Sequence, residues 1–443
     1  MRSKFKQLKS KQGFVYYLKN TFWLLAEKVL RLTAGLFVGV LVARYLGSEQ
    51  YGILAYALSL VAIFSSMIHL GLGGLVVREL VKKPEHIRET LGTVFILKCL
   101  ASVVAIAGLI LVAYLSEIVY SPQFWSLLIA SAAILFQPFQ VIDFWFEAQV
   151  QGRNSALVKT CALLITSLLK IALVFSGAHL LTFVVASTLE AVFLAIFFIW
   201  VYVSKAKLSL LSWRASKTKA KTLLSQSWLI MLGSFFAVIY LKIDQIMLKW
   251  LSGAHEVGVY AVAAQLSEVW YFVPVSIVAS LYPKLIQLKE DNSNAYNKRM
   301  QQIYDLLCFL GFTLALATTF AAQPLINLLY GAQYQEAGAV LAIHIWAGVF
   351  IFMRALLSKW ILIENELMFS LLTQGFGAVA NVLLNFYLIP LYGVYGAAIA
   401  TLISYAVASY VVLLFYQKTR PVFWMMTKSL FFPLRLLAIN FKS

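Results

Sequence analysis

Charged residues are scarce in this chain. They make up 12% of its 443 residues, whereas hydrophobic residues make up 62%, and a typical soluble protein is about 25% charged. This shortage excludes a soluble domain and predicts an integral membrane protein whose apolar residues face lipid or neighbouring helices. Acidic residues are scarcer still, 18 against 36 lysines and arginines. Because the basic residues lie in short links between apolar runs, they indicate membrane orientation and exclude nucleic acid as a partner.

The chain also lacks the residue patterns of enzymes and metal proteins. Its three cysteines lie within apolar runs, without the spacing of a disulfide framework or a metal site. There is no phosphate-binding glycine-rich loop, no His-Glu-x-x-His and no Cys-x-x-Cys. We therefore predict no catalytic residues, no metal and no cofactor, and a function other than that of an enzyme.

Long hydrophobic runs fill most of the sequence. A helix needs about 20 apolar residues to cross a membrane. Six runs of that length precede a basic link, at 22–45, 51–72, 91–115, 123–147, 157–177 and 180–203. Six more follow it, at 223–250, 257–285, 301–322, 338–363, 367–389 and 394–417. The sequence thus predicts an all-α fold of twelve transmembrane helices.

Most of the lysines and arginines fall in alternate loops, which predicts that both termini are cytoplasmic. The predicted organisation has five parts: a basic N-terminal segment, a six-helix bundle, a basic linker, a second six-helix bundle and an amphipathic basic tail. Their bounds are 1–20, 21–203, 204–222, 223–417 and 418–443. The predicted outer loops are short and leave no room for a folded domain outside the membrane.

The stretch from Trp23 to Gly52 returns about two hundred residues later. Its counterpart runs from Trp228 to Gly258, with one residue inserted in the loop. Each copy is a long apolar helix that carries charged residues, followed by a glycine-containing loop and another apolar helix. Two halves of the same orientation form a parallel repeat, and transporters with such repeats bind their substrate between the halves.

Basic residues inside the apolar spans are candidates for binding an anionic substrate, because each costs about 2.5–3.5 kcal/mol to insert and needs a reason to be there. They are Arg31, Lys28, Lys98, Lys242 and Arg354. The alternative for Arg31 is a self-neutralising pair with Glu27 near the inner interface, and for Lys28 a side chain that reaches to the membrane surface. For Lys98 and Arg354 it is a salt bridge between helices.

Four acidic residues lie in the same spans and are candidates for ion coupling or gating. Glu27 precedes Arg31 by one helical turn, so the two share a helix face. Glu190 and Glu268 fall near mid-membrane, and Asp244 falls toward the outer end of its helix. These residues suit H⁺ or Na⁺ coupling, and the alternative is again local pairing with a basic residue.

Five stretches together resemble the polysaccharide-transporter (O-antigen flippase) family of the multidrug/oligosaccharidyl-lipid/polysaccharide exporter superfamily. In order, they are Arg44–Gly47 with Tyr51-Gly52, Leu70–Leu80, Asp244–Leu248 with Glu256–Glu268, Ser280–Leu285, and Ile389–Tyr405. Their order and spacing cover nearly the whole chain.

This resemblance implies two six-helix bundles around a central cavity that opens alternately to each side. It also implies a flippase that moves an undecaprenyl-pyrophosphate-linked oligosaccharide, such as an O-antigen unit of lipopolysaccharide, to the outer leaflet. The expected location is the bacterial inner membrane, with membrane lipids, a polysaccharide polymerase and chain-length machinery as partners. The resemblance further implies an ion gradient as the driving force.

Two other functions remain open on the sequence alone. A drug or cation antiporter of the same superfamily would share the fold, but the basic excess within the spans disfavours it. A membrane polymerase or glycosyltransferase would need a sizeable catalytic loop outside the membrane, which this chain lacks.

Overall fold

A computed structural model describes residues 11–116, 121–206 and 209–431. Within these ranges every regular element is a helix and there is no strand. The first ten residues of the predicted N-terminal segment, residues 207 and 208 of the predicted linker and the last twelve residues of the predicted tail lie outside the described part of the chain.

The described chain has fifteen α-helices, joined by loops, turns and 3₁₀ segments. Helices α1 to α8 are Lys11–Ile68, Gly73–Lys82, Ile87–Leu115, Pro122–Ser131, Val141–Ala148, Gly152–Phe175, Leu180–Ala206 and Lys217–Leu251. Helices α9 to α15 are Ala254–Glu268, Phe272–Asp291, Ser293–Leu329, Ala337–His344, Ala347–Ile363, Leu367–Ser409 and Arg420–Leu430.

Ten helical segments of the described chain are long and apolar enough to cross a membrane. Two of them are too long for one crossing: Asn20–Lys82 has 63 residues and Met368–Leu414 has 47, and about 20 suffice. Both contain a glycine with non-helical backbone angles, Gly47 (φ 75°) and Gly393 (φ 54°). The chain is therefore an all-helical, multi-pass membrane protein.

The chain divides into two compact units. The first comprises the residues up to Tyr45 together with Leu60–Met231, and the second comprises Leu46–Ser59 and the residues from Leu232 onward. In the first unit Trp145, Phe146 and Tyr202 belong to the buried apolar core. Leu46–Ser59, from the first half of the sequence, is thus built into the second unit.

Large apolar side chains cover the outside of the helices. Leu100, Val103 and Phe376 are each more than half exposed, at 60%, 63% and 57%. Exposure of this kind is unfavourable in water and favourable in lipid, since lipid tails are as apolar as these side chains. The pattern agrees with the predicted membrane location.

The repeated stretch has the same backbone form in both copies. Gly47 and its counterpart Gly253 both have positive φ, of 75° and 105°, a conformation that glycine adopts without strain. Five residues further on, Gly52 and Gly258 lie where two helices of the second unit cross. A Cβ atom added to Gly52 would lie 1.8 Å from the Ala254 carbonyl oxygen, and one added to Gly258 would lie 1.9 Å from the Ser48 carbonyl oxygen. Only glycine allows this approach.

Candidate functional site

The first unit contains a polar cavity of about 310 Å³ within the apolar helices, here called the charged cavity. Its lining residues come from α1, the 3₁₀ segment Ala132–Gln140, and helices α5, α6 and α7. They are Glu27, Arg31, Gln140, Asp143, Lys159, Leu194 and Phe198. Three other charged residues therefore line the same cavity as Arg31. One of them, Glu27, was predicted from the sequence, and the other two, Asp143 and Lys159, were not.

Arg31 is held between two carboxylates. Its Nε donates to Glu27 Oε1 at 2.8 Å, and its Nη1 donates to Glu190 Oε1 at 2.7 Å. The first contact is the one-turn pair expected from the sequence. The second joins α1 to α7 and brings together two residues that the sequence assigned to different roles. The Arg31 side chain keeps 37% exposure, so it is reachable while it is neutralised.

A second ion pair lies in the same cavity. Lys159 Nζ lies 2.6 Å from Asp143 Oδ2, and the Ser155 hydroxyl donates to the other Asp143 oxygen. This pair was not singled out from the sequence. The sequence pattern that could have predicted it is an acidic residue before a short turn and a lysine on the next helix. Two such residues lie close together when the two helices pack antiparallel.

The other two basic candidates of the first unit do not line this cavity. Lys28 is exposed on the surface of α1. Lys98 is 1% exposed, and its Nζ lies 5.1 Å from the centre of the Phe144 ring. This geometry is a cation–π contact, so in this conformation Lys98 has a packing role.

Asp244 lies in the interior of the second unit and is 1% exposed. Two asparagines of α14 donate to its Oδ1, Asn381 from 3.0 Å and Asn385. Its Oδ2 lies 2.8 Å from the Tyr260 hydroxyl and 2.9 Å from the Thr401 hydroxyl. These five residues are called the Asp244 site. Asn381 and Asn385 were missed by sequence reasoning, although two amides one turn apart in an apolar span are a usable signal.

The Asp244 site has four neutral partners, and within the described residues no cationic side chain forms a salt bridge with Asp244. The Oδ1 atom of Asn385 is buried without a hydrogen-bond partner, and the Thr401 hydroxyl also lies 2.9 Å from the Ala397 carbonyl. A buried carboxylate is stable only when a proton or a cation neutralises it. Carboxylate and hydroxyl oxygens are ligands that hard cations prefer, and the Asp244 site offers both, beside two amide groups whose nitrogens face the carboxylate.

The remaining candidates in the second unit are paired. Lys242 precedes Asp244 by two residues, but its Nζ lies 3.4 Å from Glu268 Oε2 and pairs with that carboxylate. Arg354 is 7% exposed and donates to the Ala408 carbonyl at 2.8 Å and to the Thr373 hydroxyl at 3.2 Å. The five predicted basic residues are therefore not gathered into one anion site within either unit.

Comparison with known proteins assigns the chain to a family. Residues 17–289, more than half of the chain, match the family described as "Polysaccharide biosynthesis protein". The chain belongs to this family. It is also 24% identical to "Probable flippase AglR" of Haloferax volcanii over 388 residues, covering 84% of this chain and 78% of that relative. These findings confirm the resemblance inferred from the sequence motifs.

Solved structures share the fold across almost the whole chain. The lipid II flippase MurJ in an inward closed conformation matches 95% of this chain and 92% of its own, with a TM-score of 0.69 and 16% identity. An inward-facing multidrug-resistance transporter of the MATE family matches 92% of this chain and 99% of its own, with a TM-score of 0.69 and 15% identity. The chain thus shares its fold with these two membrane transporters.

Proposed function

We propose that this protein is a flippase that moves a polyprenyl-pyrophosphate-linked oligosaccharide from the inner to the outer leaflet of a cytoplasmic membrane. Membership of the polysaccharide biosynthesis family gives the pathway, and a flippase relative gives the type of activity. The observation that carries the proposal is the charged cavity, in which a reachable arginine lies within apolar helices. A pyrophosphate is anionic and hydrophilic, so it crosses apolar surroundings only where basic groups receive it.

The charged cavity suits a reversible anion site. While no substrate is bound, Glu27 and Glu190 neutralise Arg31, and Asp143 neutralises Lys159. An arriving pyrophosphate competes with these carboxylates for the two cationic groups, and it forms charge-assisted hydrogen bonds in their place. The exchange keeps the arginine paired at both stages, which permits release as well as binding. The roles assigned to Lys28, Lys98, Lys242 and Arg354 stay predictions.

We further propose that the Asp244 site couples transport to a cation gradient. A neutral oxygen cage around one buried carboxylate accepts either a proton on Asp244 or a Na⁺ ion. For Na⁺, the Asn381 and Asn385 amide groups would turn their oxygens inward, and the unpartnered Asn385 Oδ1 supports such a turn. Glu268 and Glu190, the other mid-membrane carboxylates, already have cationic partners, so Asp244 is the better coupling residue.

The proposed topology has twelve spans, since the breaks at Gly47 and Gly393 divide the two longest segments. Cytoplasmic termini follow from the distribution of basic residues. In this orientation the close crossing at Gly52 and Gly258 lies on the outer side, and we propose that its two helices part when the site opens outward. A downstream polysaccharide polymerase with its chain-length machinery would then receive the flipped substrate.

Loss of surface polysaccharide in a producing strain tests the proposal. The Arg31→Ala variant should remain in the membrane and should export no polysaccharide, because Glu27 and Glu190 then face each other without their shared cation. A Val29→Ala variant is the matched control, since Val29 is exposed on the same helix and lies outside the charged cavity. Normal export by the Arg31→Ala variant would remove the charged cavity from the mechanism.

A drug or cation antiporter is the second candidate, and one observation favours it. The charged cavity with its Glu190 partner contains three carboxylates and two cationic groups, and an acidic excess attracts cationic compounds. The shared fold with a multidrug transporter agrees with this function. Drug accumulation in cells with and without the protein discriminates: only an antiporter lowers the accumulation of cationic drugs.

A further inference from the structure

The second unit contains a second polar cavity, of about 520 Å³, that no part of the proposed mechanism uses. It is called the loop pocket. Its residues come from α9, the end of α11, the loop before α12, α12 itself and α14. They are His255, Val259, Gln323, Ala332, Gln333, Gln335, Glu336, Ala339 and Tyr395. The volume falls within the range of about 300–1,000 Å³ for small-molecule sites.

The walls of the loop pocket are fixed by packing and hydrogen bonds. The loop turns at Gly331, whose φ is +85°, and the Tyr330 and Tyr334 rings pack edge to face beneath it at 5.6 Å. Gln323 Nε2 donates to the Gln335 carbonyl at 3.1 Å. A Cβ atom on Gly338 would lie 2.1 Å from Gln323 Oε1, so this wall is closely packed. A fixed wall is what a binding site needs.

The lining chemistry selects a class of ligand. Three glutamines present both donors and acceptors, and Glu336 presents an exposed carboxylate that accepts from hydroxyl groups. The Tyr395 ring, half-buried at the pocket wall, provides a flat apolar surface. Neither lysine nor arginine is among the lining residues. This lining disfavours phosphate groups and matches a neutral compound rich in hydroxyl groups.

We propose that the loop pocket binds the glycan part of the transported lipid, as a neutral oligosaccharide, on the outer side of the membrane. This inference rests on the proposed flippase function and orientation, which place the pocket outside. The glycan then has a site of its own, separate from the pyrophosphate site. Bound there, its sugars stay on the outer side and return of the lipid is slowed.

The pocket also touches the segment that crosses at Gly52. The Ser48 hydroxyl lies 2.7 Å from His255 Nδ1, and a Cβ atom on Gly47 would lie 3.4 Å from Gln333 Oε1. A glycan hydroxyl that bonds to His255 in place of Ser48 therefore removes one contact of the Leu46–Ser59 segment. Glycan binding and separation of the outer crossing consequently favour each other.

Binding of free glycan to the purified full-length protein in lipid nanodiscs tests the proposal. The probe is the oligosaccharide fraction that mild acid releases from the producing cell's own lipid-linked pool, measured by saturation-transfer NMR and titration. The wild-type protein should bind it, and Glu336→Gln and Tyr395→Ala should each weaken binding by about tenfold, because the first loses charge-assisted contacts to hydroxyl groups and the second loses aromatic surface. Gln50→Ala is the matched control: Gln50 is an exposed residue of α1, close to Ser48 in sequence but outside the lining.

Inorganic pyrophosphate serves as the second probe and should not compete with the glycan. Equal glycan affinity in the wild type and both pocket variants, or competition by pyrophosphate, would overturn the assignment. Lipid flipping is measured separately on the same preparation. Flipping without glycan binding would refute the loop pocket alone, whereas absence of flipping together with glycan binding would refute the proposed function instead.

Discussion

The crossing of Gly52 and Gly258 gives the most quantitative prediction. In the Gly52→Ala variant the new Cβ meets the Ala254 carbonyl oxygen at 1.8 Å. The obstacle is backbone and cannot rotate away, so the two helices have to separate by about 1.2 Å to bring this contact to 3.0 Å. Overpacking of this kind costs about 1–3 kcal/mol. The closed crossing therefore loses about 5-fold to 150-fold in population relative to a separated state.

Labelling of a buried cysteine measures that separation. Ala57 is fully buried in the second unit, so an Ala57→Cys probe in a background without Cys99, Cys161 and Cys308 reacts slowly with a membrane-impermeant maleimide. We expect Gly52→Ala to accelerate this labelling. Gly35→Ala is the control, because a Cβ there has no neighbour within 4 Å. Equal labelling rates in the two variants would show that the crossing is not the outer closure.

Three further predictions concern other contacts. Where Na⁺ is the coupling ion, Thr401→Val should weaken Na⁺ binding by about tenfold or more, because the site loses a hydroxyl group worth about 1.5–3 kcal/mol; a variant that binds Na⁺ as tightly as a Na⁺-coupled wild type would contradict the Na⁺ site. Arg31→Lys should retain part of the export that Arg31→Ala loses, since lysine keeps the charge but not the two-sided geometry; full loss in both variants would indicate that geometry alone decides. The hydrogen bond from Lys418 holds the pKa of Glu366 below its usual value, so this pair stabilises the protein at neutral pH. The stability difference between the wild type and Glu366→Gln should therefore vanish as the pH falls through that pKa. A difference in melting temperature that does not change with pH would refute this.

The sequence predicted the helices of the fold better than the contacts between them. Hydrophobic runs predicted an all-helical membrane protein, and the repeat of Trp23–Gly52 anticipated the paired glycine turns at Gly47 and Gly253. The Glu27–Arg31 pair followed from helical spacing within α1. All of these features depend on residues that are close in sequence.

Contacts between helices were not predictable in the same way. Lipid and protein interior are equally apolar, so the hydrophobic pattern of a span does not identify the helix that it faces. The pairing of Arg31 with Glu190 and that of Asp244 with Asn381 depend on which helices pack against each other. The place of Leu46–Ser59 in the second unit could not be predicted either, because it depends on the close crossing of Gly52 and Gly258.

Transport by the purified protein in vesicles tests the central claim most directly. A fluorescent lipid-linked oligosaccharide is placed in proteoliposomes, and its exchange between leaflets is followed by quenching under Na⁺ and H⁺ gradients. We predict that the wild-type protein accelerates exchange and that one of the gradients increases the rate further, whereas Asp244→Asn abolishes the gradient effect. Exchange no faster than in empty vesicles under every gradient would contradict the proposed function, and an undiminished gradient effect in Asp244→Asn would contradict coupling at that site.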